Sequence, residues 1–371
     1  MPLQGVIALS LTSHLQDPDS PVLAFFQREL PERQRFVEHW RGRVRGLRTW
    51  LPEGAGRGYA WSLVGEAFDL RLRAALRSVG AEGVIGSTTG DVVAYVTPPT
   101  QEAIHILEDE ICPLWEELRG GGPLRCLDDE QERQVARLCL ALAWYKEYAR
   151  VGPLRPVEPL QRAASLEELI GLTPQAAVAI DDVARMMRIA EGSIDRWPPQ
   201  EDVRLGPVFD GSIDVGGADA DFIIGRCLWD IKTTKEPGRI SRKYFWPYQL
   251  LGYVFLDYTD RYGLDRVGIY LARQGAWISW GIDELVRLLG GDTARSLAEW
   301  RALFREAVAE ARALEKSGEK REDTAPSSAR APISPAQSAA RMLRTPGWGA
   351  ALMKPLRLLV GWASHRWGRV R

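Results

Sequence analysis

The chain has 371 residues, 45% hydrophobic and 26% charged, with a formal net charge of −1. That is the composition of an ordinary globular protein, long enough for two domains and a large core. It excludes a membrane span, because no uncharged run reaches the roughly 20 apolar residues needed. The N-terminal stretch has no basic n-region and no small-residue cleavage site, so no signal peptide is expected and the cytoplasm is the expected compartment. Cys112, Cys126, Cys139 and Cys227 form no CxxC pair, and the four histidines form no HExxH. A zinc ribbon and a His-based metal site are therefore disfavoured, and the cysteines are expected to be reduced and buried. Neither GxxxxGK[ST] nor GxSxG occurs, which removes the main support for a P-loop or an α/β-hydrolase.

The first 60 residues read as irregular to helical. Asp17-Pro18-Asp19-Ser20-Pro21 is a turn or helix start before Val22–Leu30. Residues 63–79 carry apolar side chains at helical spacing, with Arg71, Arg73 and Arg77 expected partly outward. Residues 101–119 form another helix, ended by Gly120-Gly121-Gly122-Pro123. A third covers 129–150 and is aromatic near its end. Pro153, Pro156 and Pro159 punctuate a connection, and Thr173-Pro174 opens a helix to about Ile194, with Thr173 as N-cap.

After Pro198-Pro199 the texture changes. Alternating Val, Ile, Phe and Gly predict short strands at 207–215, 218–224 and 227–233, the last two joined by a tight turn at Gly225-Arg226. A helix at 242–259 and strands at 266–272 and 276–280 follow, the strands joined at Gln274-Gly275. This is a mixed sheet with a crossover helix. Residues 292–315 make a long amphipathic helix. Residues 316–338, polar and rich in Pro, Ser and Ala, read as a disordered linker. From 339 onward come seven basic residues, no acidic ones, and Trp348, Trp362 and Trp367; residues 1–338 hold 41 basic and 49 acidic residues. The tail reads either as a solvated extension or as a contact for nucleic acid, a membrane surface or a partner protein. Any nucleic-acid contact in the acidic body must use local patches.

The stretch 219–253 carries the chemistry. Asp230 and Lys232 occupy alternate positions of a predicted strand, so their side chains share one face. Asp219 and Asp221 share a face one turn earlier, and pairing of the strands brings Asp221 beside Asp230. Two carboxylates and a backbone carbonyl make an oxygen-rich site for Mg²⁺ or Mn²⁺. The plain alternative is a surface strand with ordinary charges. Against it, Asp is depleted in strands, and clustered carboxylates repel one another without a cation.

The segments GGADADFII and LWDIKTTK, followed by a helix bearing Gln249-x-x-x-Tyr253, resemble the PD-(D/E)xK nuclease superfamily. Within it they are similar to the RecB-like branch, which includes CRISPR-adaptation exonucleases. The resemblance covers residues 205–280 well and 60–75 weakly. It implies that Asp221, with Asp219 as the other register, and Asp230 bind metal. It also implies that Lys232 is the catalytic lysine and that Gln249 and Tyr253 support the site. The branch's upstream GxxxH has its counterpart at Gly65–Asp69, where Asp69 replaces the histidine and Glu66 is the second choice of ligand. The plain reading of both is a charged helix face. The branch's iron–sulfur cluster is not carried over, since no cysteine follows Cys227.

The expected fold is α/β, a restriction-endonuclease-like mixed sheet flanked by helices, with a mostly helical N-terminal region. Residues 1–199 form that region, 200–315 the nuclease core with its following helix, 316–338 the linker and 339–371 the basic tail. The expected function is metal-dependent hydrolysis of phosphodiester bonds, with DNA as substrate, in repair or anti-phage defence. Lys235, Arg239, Arg242 and Lys243 offer phosphate contacts. Tyr244, Phe245, Trp246 and Tyr248 offer either stacking surfaces for unpaired bases or helix–sheet packing. With no helicase motor in the sequence, a protein partner would supply unwinding or targeting. The rival from another class is a catalytically silent nuclease-fold subunit that binds nucleic acid or scaffolds a complex.

Overall fold

A computed structural model describes residues 10–85, 98–151, 156–192, 199–240 and 245–323. Three short helices come first: α1 (Leu11–Gln16), α2 (Pro21–Glu29) and α3 (Arg33–Val44). The Asp17–Pro21 signal does start a helix: Ser20 Oγ accepts the Val22 N–H at 3.3 Å, and Pro21, which has no N–H to satisfy, sits in the first turn of α2. Next come α4 (Trp61–Leu76), α5 (Ala81–Ile85), α6 (Gln101–His105), α7 (Cys112–Arg119), α8 (Asp129–Val151), α9 (Glu158–Arg162), α10 (Leu166–Gly171) and α11 (Ala176–Glu191). A π-helical turn at Ile106–Ile111 joins α6 to α7, where Pro113 interrupts the regular bond pattern.

The sheet follows: β1 (Val203–Leu205), β2 (Phe222–Ile224), β3 (Cys227–Lys232), then α12 (Trp246–Leu256), β4 (Arg266–Leu271) and β5 (Ala276–Gly281). Helices α13 (Ile282–Leu288) and α14 (Leu297–Asp323) close the described chain. The strands lie in the order β1-β2-β3-β4-β5, antiparallel except for the parallel β3–β4 pair that α12 bridges. The β2–β3 turn is the expected two-residue one, with Gly225 at φ +57°. The fold is thus mixed α/β. No helix among the described residues is long and apolar enough to cross a membrane.

Strand alternation divides the sheet into two faces. Phe222, Tyr270 and the partly buried Trp229, Ile231 and Trp277 meet a core built on α4, α8 and α11. Ile223, Leu228, Val267, Ile269 and Trp280 meet the other core, formed by α1–α3, α12, α13 and α14. Every residue of α12 is buried, which accounts for a helix that is apolar all round. On the first face the Trp229 indole lies against Gly268, its neighbour across the parallel pair. A Cβ on Gly268 would stand 2.4 Å from the indole. Gly268→Ala is therefore expected to destabilise by about 1–3 kcal/mol, the usual cost of overpacking, read as a lower urea midpoint at unchanged slope. A neutral result would mean that Trp229 relaxes freely.

Several expectations need correction. Residues 207–215 are not a strand; β1 lies earlier, and Ser212–Val215 form a 3₁₀ turn. Ser212 Oγ accepts from Phe209 N–H at 2.9 Å and donates to Ala218 O at 2.5 Å, so a local side-chain bridge closes a loop instead. Thr173 is no N-cap: its Oγ1 accepts from Trp144 Nε1 at 3.3 Å, and α11 starts after Gln175, which is in the left-handed region at φ +56°. Arg71 and Arg73 do not point outward. Helix α4 is covered by the sheet and by α8, and both guanidiniums are buried in ion pairs. The four thiols are free, but only Cys139 is buried; Cys126 is exposed. The region assigned to one helix at 292–315 follows the separate α13, and α14 continues to Asp323, eight residues into the expected linker. Residues 324–338 and the basic tail lie outside the described residues, as do Arg242, Lys243 and Tyr244.

Candidate active site

Residues from the sheet and from the N-terminal helices meet at the end of β3. The register pairs Phe222 with Trp229, and the step beyond sets Asp221 opposite Asp230. Asp221 Oδ2 accepts the Ile231 N–H at 2.6 Å, which anchors one carboxylate on the other's strand. Lys232, two residues past Asp230 on the same face, places Nζ 2.5 Å from Asp230 Oδ2. That oxygen is sealed from solvent and makes an ion contact without a well-directed hydrogen bond. The end of β3 thus brings Asp221, Asp230 and Lys232 together.

Helix α4 supplies the opposite wall. Gly65 makes the approach close, since a Cβ there would stand 2.8 Å from Thr233 Oγ1. Glu66 and Asp69, one helical turn apart, thereby face Asp221 across a cleft of about 350 Å³ walled also by Trp61, Lys232 and Thr233. Lys235 Nζ lies 4.2 Å from the centroid of the Trp61 ring.

Four cations thread these carboxylates. Arg73 Nε donates to Asp69 Oδ1 at 2.9 Å, and its Nη2 lies 3.6 Å from Asp221 Oδ1. Lys146, from α8, donates to Asp69 Oδ2 at 2.6 Å and pairs with Glu66. Arg150 reaches Glu66 at 3.3 Å, and Lys232 holds Asp230. Burial pushes the Asp69 and Glu66 carboxyls up, but Arg73 and Lys146 around the first, and Lys146 and Arg150 around the second, bring both below the ordinary value. Asp221 goes the other way: burial, then the charges of Asp69 and Asp230, hold it well above the carboxylate range. Burial likewise raises Asp230, with Lys232 opposing. Burial thus prevails at the sheet carboxylates, while at those of α4 the neighbouring cations prevail.

The remaining candidates fall elsewhere. Asp219 is exposed, on an isolated bridge to Val208. Gln249 and Tyr253 are buried within α12. Gln249 Nε2 bonds Tyr253 Oη at 2.9 Å and Thr12 Oγ1 at 3.3 Å, and neither residue lines the cleft. Phe245, Trp246 and Tyr248 are buried too, so they pack the core and offer no stacking surface. Arg73, Lys146 and Arg150 escaped sequence reasoning. The Asp69/Arg73 spacing of four was a usable signal for a helical pair, but nothing local marks Lys146, 77 residues from Asp69. Among the described residues no three His, Cys, Asp or Glu side chains are grouped to hold a metal ion. Comparison with protein-family models, curated proteins and solved structures gives no match for this chain.

Proposed function

We propose that the protein is a metal-dependent nuclease of the PD-(D/E)xK type, on a restriction-endonuclease-like sheet, with DNA as its substrate. One observation carries the reading: Asp221 and Asp230 stand side by side across a hairpin, Lys232 shares the face of Asp230, and Asp221 and Lys232 wall a polar cleft behind which Asp230 is buried. The donor set suits one hard cation: two adjacent carboxylates, both raised above their ordinary pKa chiefly by burial, would be relieved by a divalent ion. Asp221 and Asp230 would hold Mg²⁺ or Mn²⁺. When bound, the ion supplies Lewis acidity toward a phosphoryl oxygen and a lowered pKa for coordinated water.

The chain's own residues do the rest. Lys232 orients the attacking water or stabilises charge developing on the phosphorus oxygens. Ile231 N–H fixes the angle of the Asp221 carboxylate. Exposed Lys235 and Arg239, which follow the strand, would meet backbone phosphates. Asp69, whose two oxygens are committed to Arg73 and Lys146, supports the wall in place of ligating directly.

Labelled single-stranded and duplex DNA incubated with Mn²⁺, Mg²⁺ or chelator is expected to be cut only with metal. Lys232→Ala should lower the rate on the order of 10²-fold or more. Equal cleavage by the variant would sink the assignment of the lysine. The closed Asp69 position favours a second reading, a silent nuclease-fold subunit of a larger complex. Thermal stabilisation by Mn²⁺ with no cleavage of any substrate would move the conclusion there.

A further inference from the structure

We infer that Lys146 is a built-in cation of this centre, set between Glu66 and Asp69 where a second metal ion would otherwise bridge them, so the cleft takes one divalent cation per chain. The inference rests on the metal-centre reading and fixes its stoichiometry.

Glu66 and Asp69 are one turn apart on α4 and present their oxygens to a common point, the arrangement in which paired carboxylates bridge a cation. The point is occupied. Lys146 Nζ is bonded to both side chains, and little of it reaches solvent. Its helix holds it there: Trp144 Nε1 donates to Thr173 Oγ1, and Tyr145 Oη donates to Ala103 O at 2.8 Å. The other Asp69 oxygen is taken by Arg73, which also faces Asp221. A second dication between Glu66 and Asp69 would meet Lys146 and Arg73 at close range.

The test is Mn²⁺ binding, counted from the free-ion magnetic resonance signal and by calorimetry up to millimolar metal. Wild type is expected to bind one ion. Lys146→Met keeps the aliphatic stem, removes the charge and should bind two. Glu66→Gln should still bind one, because Glu66 serves the lysine and not the metal. Two ions in wild type, one in Lys146→Met, or loss of the ion in Glu66→Gln would each overturn the inference. The wild-type and Glu66→Gln counts test it even if Lys146→Met does not fold. One ion in both wild type and Lys146→Met removes the inference alone; no ion in any form removes the metal-centre reading with it.

Discussion

Asp182→Ala is expected to destabilise the protein by about 3–5 kcal/mol, the usual effect of stripping one partner from a buried ion pair. Arg273 and Asp182 are both fully shielded and meet through two bonds of 2.7 Å. Without the carboxylate the guanidinium would remain buried, since α11 and the β4–β5 loop close over it. The pair also braces the cleft. Arg273 Nε donates to Thr233 O at 2.9 Å, next to Lys232, and its guanidinium lies 5.1 Å from the Trp61 ring. Tyr59 Oη adds a 2.8 Å bond to Asp182. Urea unfolding would show the loss as a lower midpoint. Asp182→Leu combined with Arg273→Met should lose less than Asp182→Ala alone, because no charge is left orphaned. A loss under about 1 kcal/mol for Asp182→Ala would mean that water reaches Arg273.

Asp221→Asn should do two opposite things. In metal-free protein at neutral pH it is expected to stabilise, by about 0.5–2 kcal/mol, as replacements of function-strained residues commonly do. The sign follows from linkage. The folded-state pKa of Asp221 is raised above its ordinary 3.8 by burial and by Asp69 and Asp230. Between those two values the folded state binds more protons, so wild-type stability falls as pH rises from about 4 through the raised value. Asparagine removes that loss while keeping an oxygen for the Ile231 N–H. With Mn²⁺ at a hundred times its dissociation constant, wild type gains about 2.7 kcal/mol and the variant gains none. Thermal melts from pH 4 to 8, with and without Mn²⁺, separate the two effects. A variant less stable than wild type without metal would show that the Arg73 contact outweighs the burial of Asp221.

What could be seen in the sequence depended on range. The β2–β3 hairpin was legible, because Gly225-Arg226 and the alternation around it are local. The pairing of Asp221 with Asp230 followed from that turn alone. The crossover α12 was legible from its largely apolar run, although the run also hid its consequence: a helix buried on all sides seals Gln249 and Tyr253 inside with Thr12. The cations of the cleft were not legible. Arg71 and Arg73 look solvent-facing on an amphipathic pattern, and only Glu132 and Lys146, brought in by α8, reveal them as buried. Residues 207–215 failed for a different reason. Their composition suits a strand, but one serine hydroxyl spent on the backbone at both Phe209 and Ala218 makes a loop the better solution.

The helices on the second face of the sheet impose an order of assembly. Leu30 O accepts from Tyr248 Oη, Glu29 pairs with Arg295, and Phe25 packs on Phe255, Trp300 and Phe304. During synthesis, at about 5–20 residues per second, the aromatic segment around Phe25, Phe26, Phe36 and Trp40 waits roughly ten seconds or more for the chain that will cover it. Contacts of such sequence separation form late and slow the search for the native state. The nascent chain therefore exposes this apolar stretch until α12 and α14 have emerged, and a holding chaperone would have a target there.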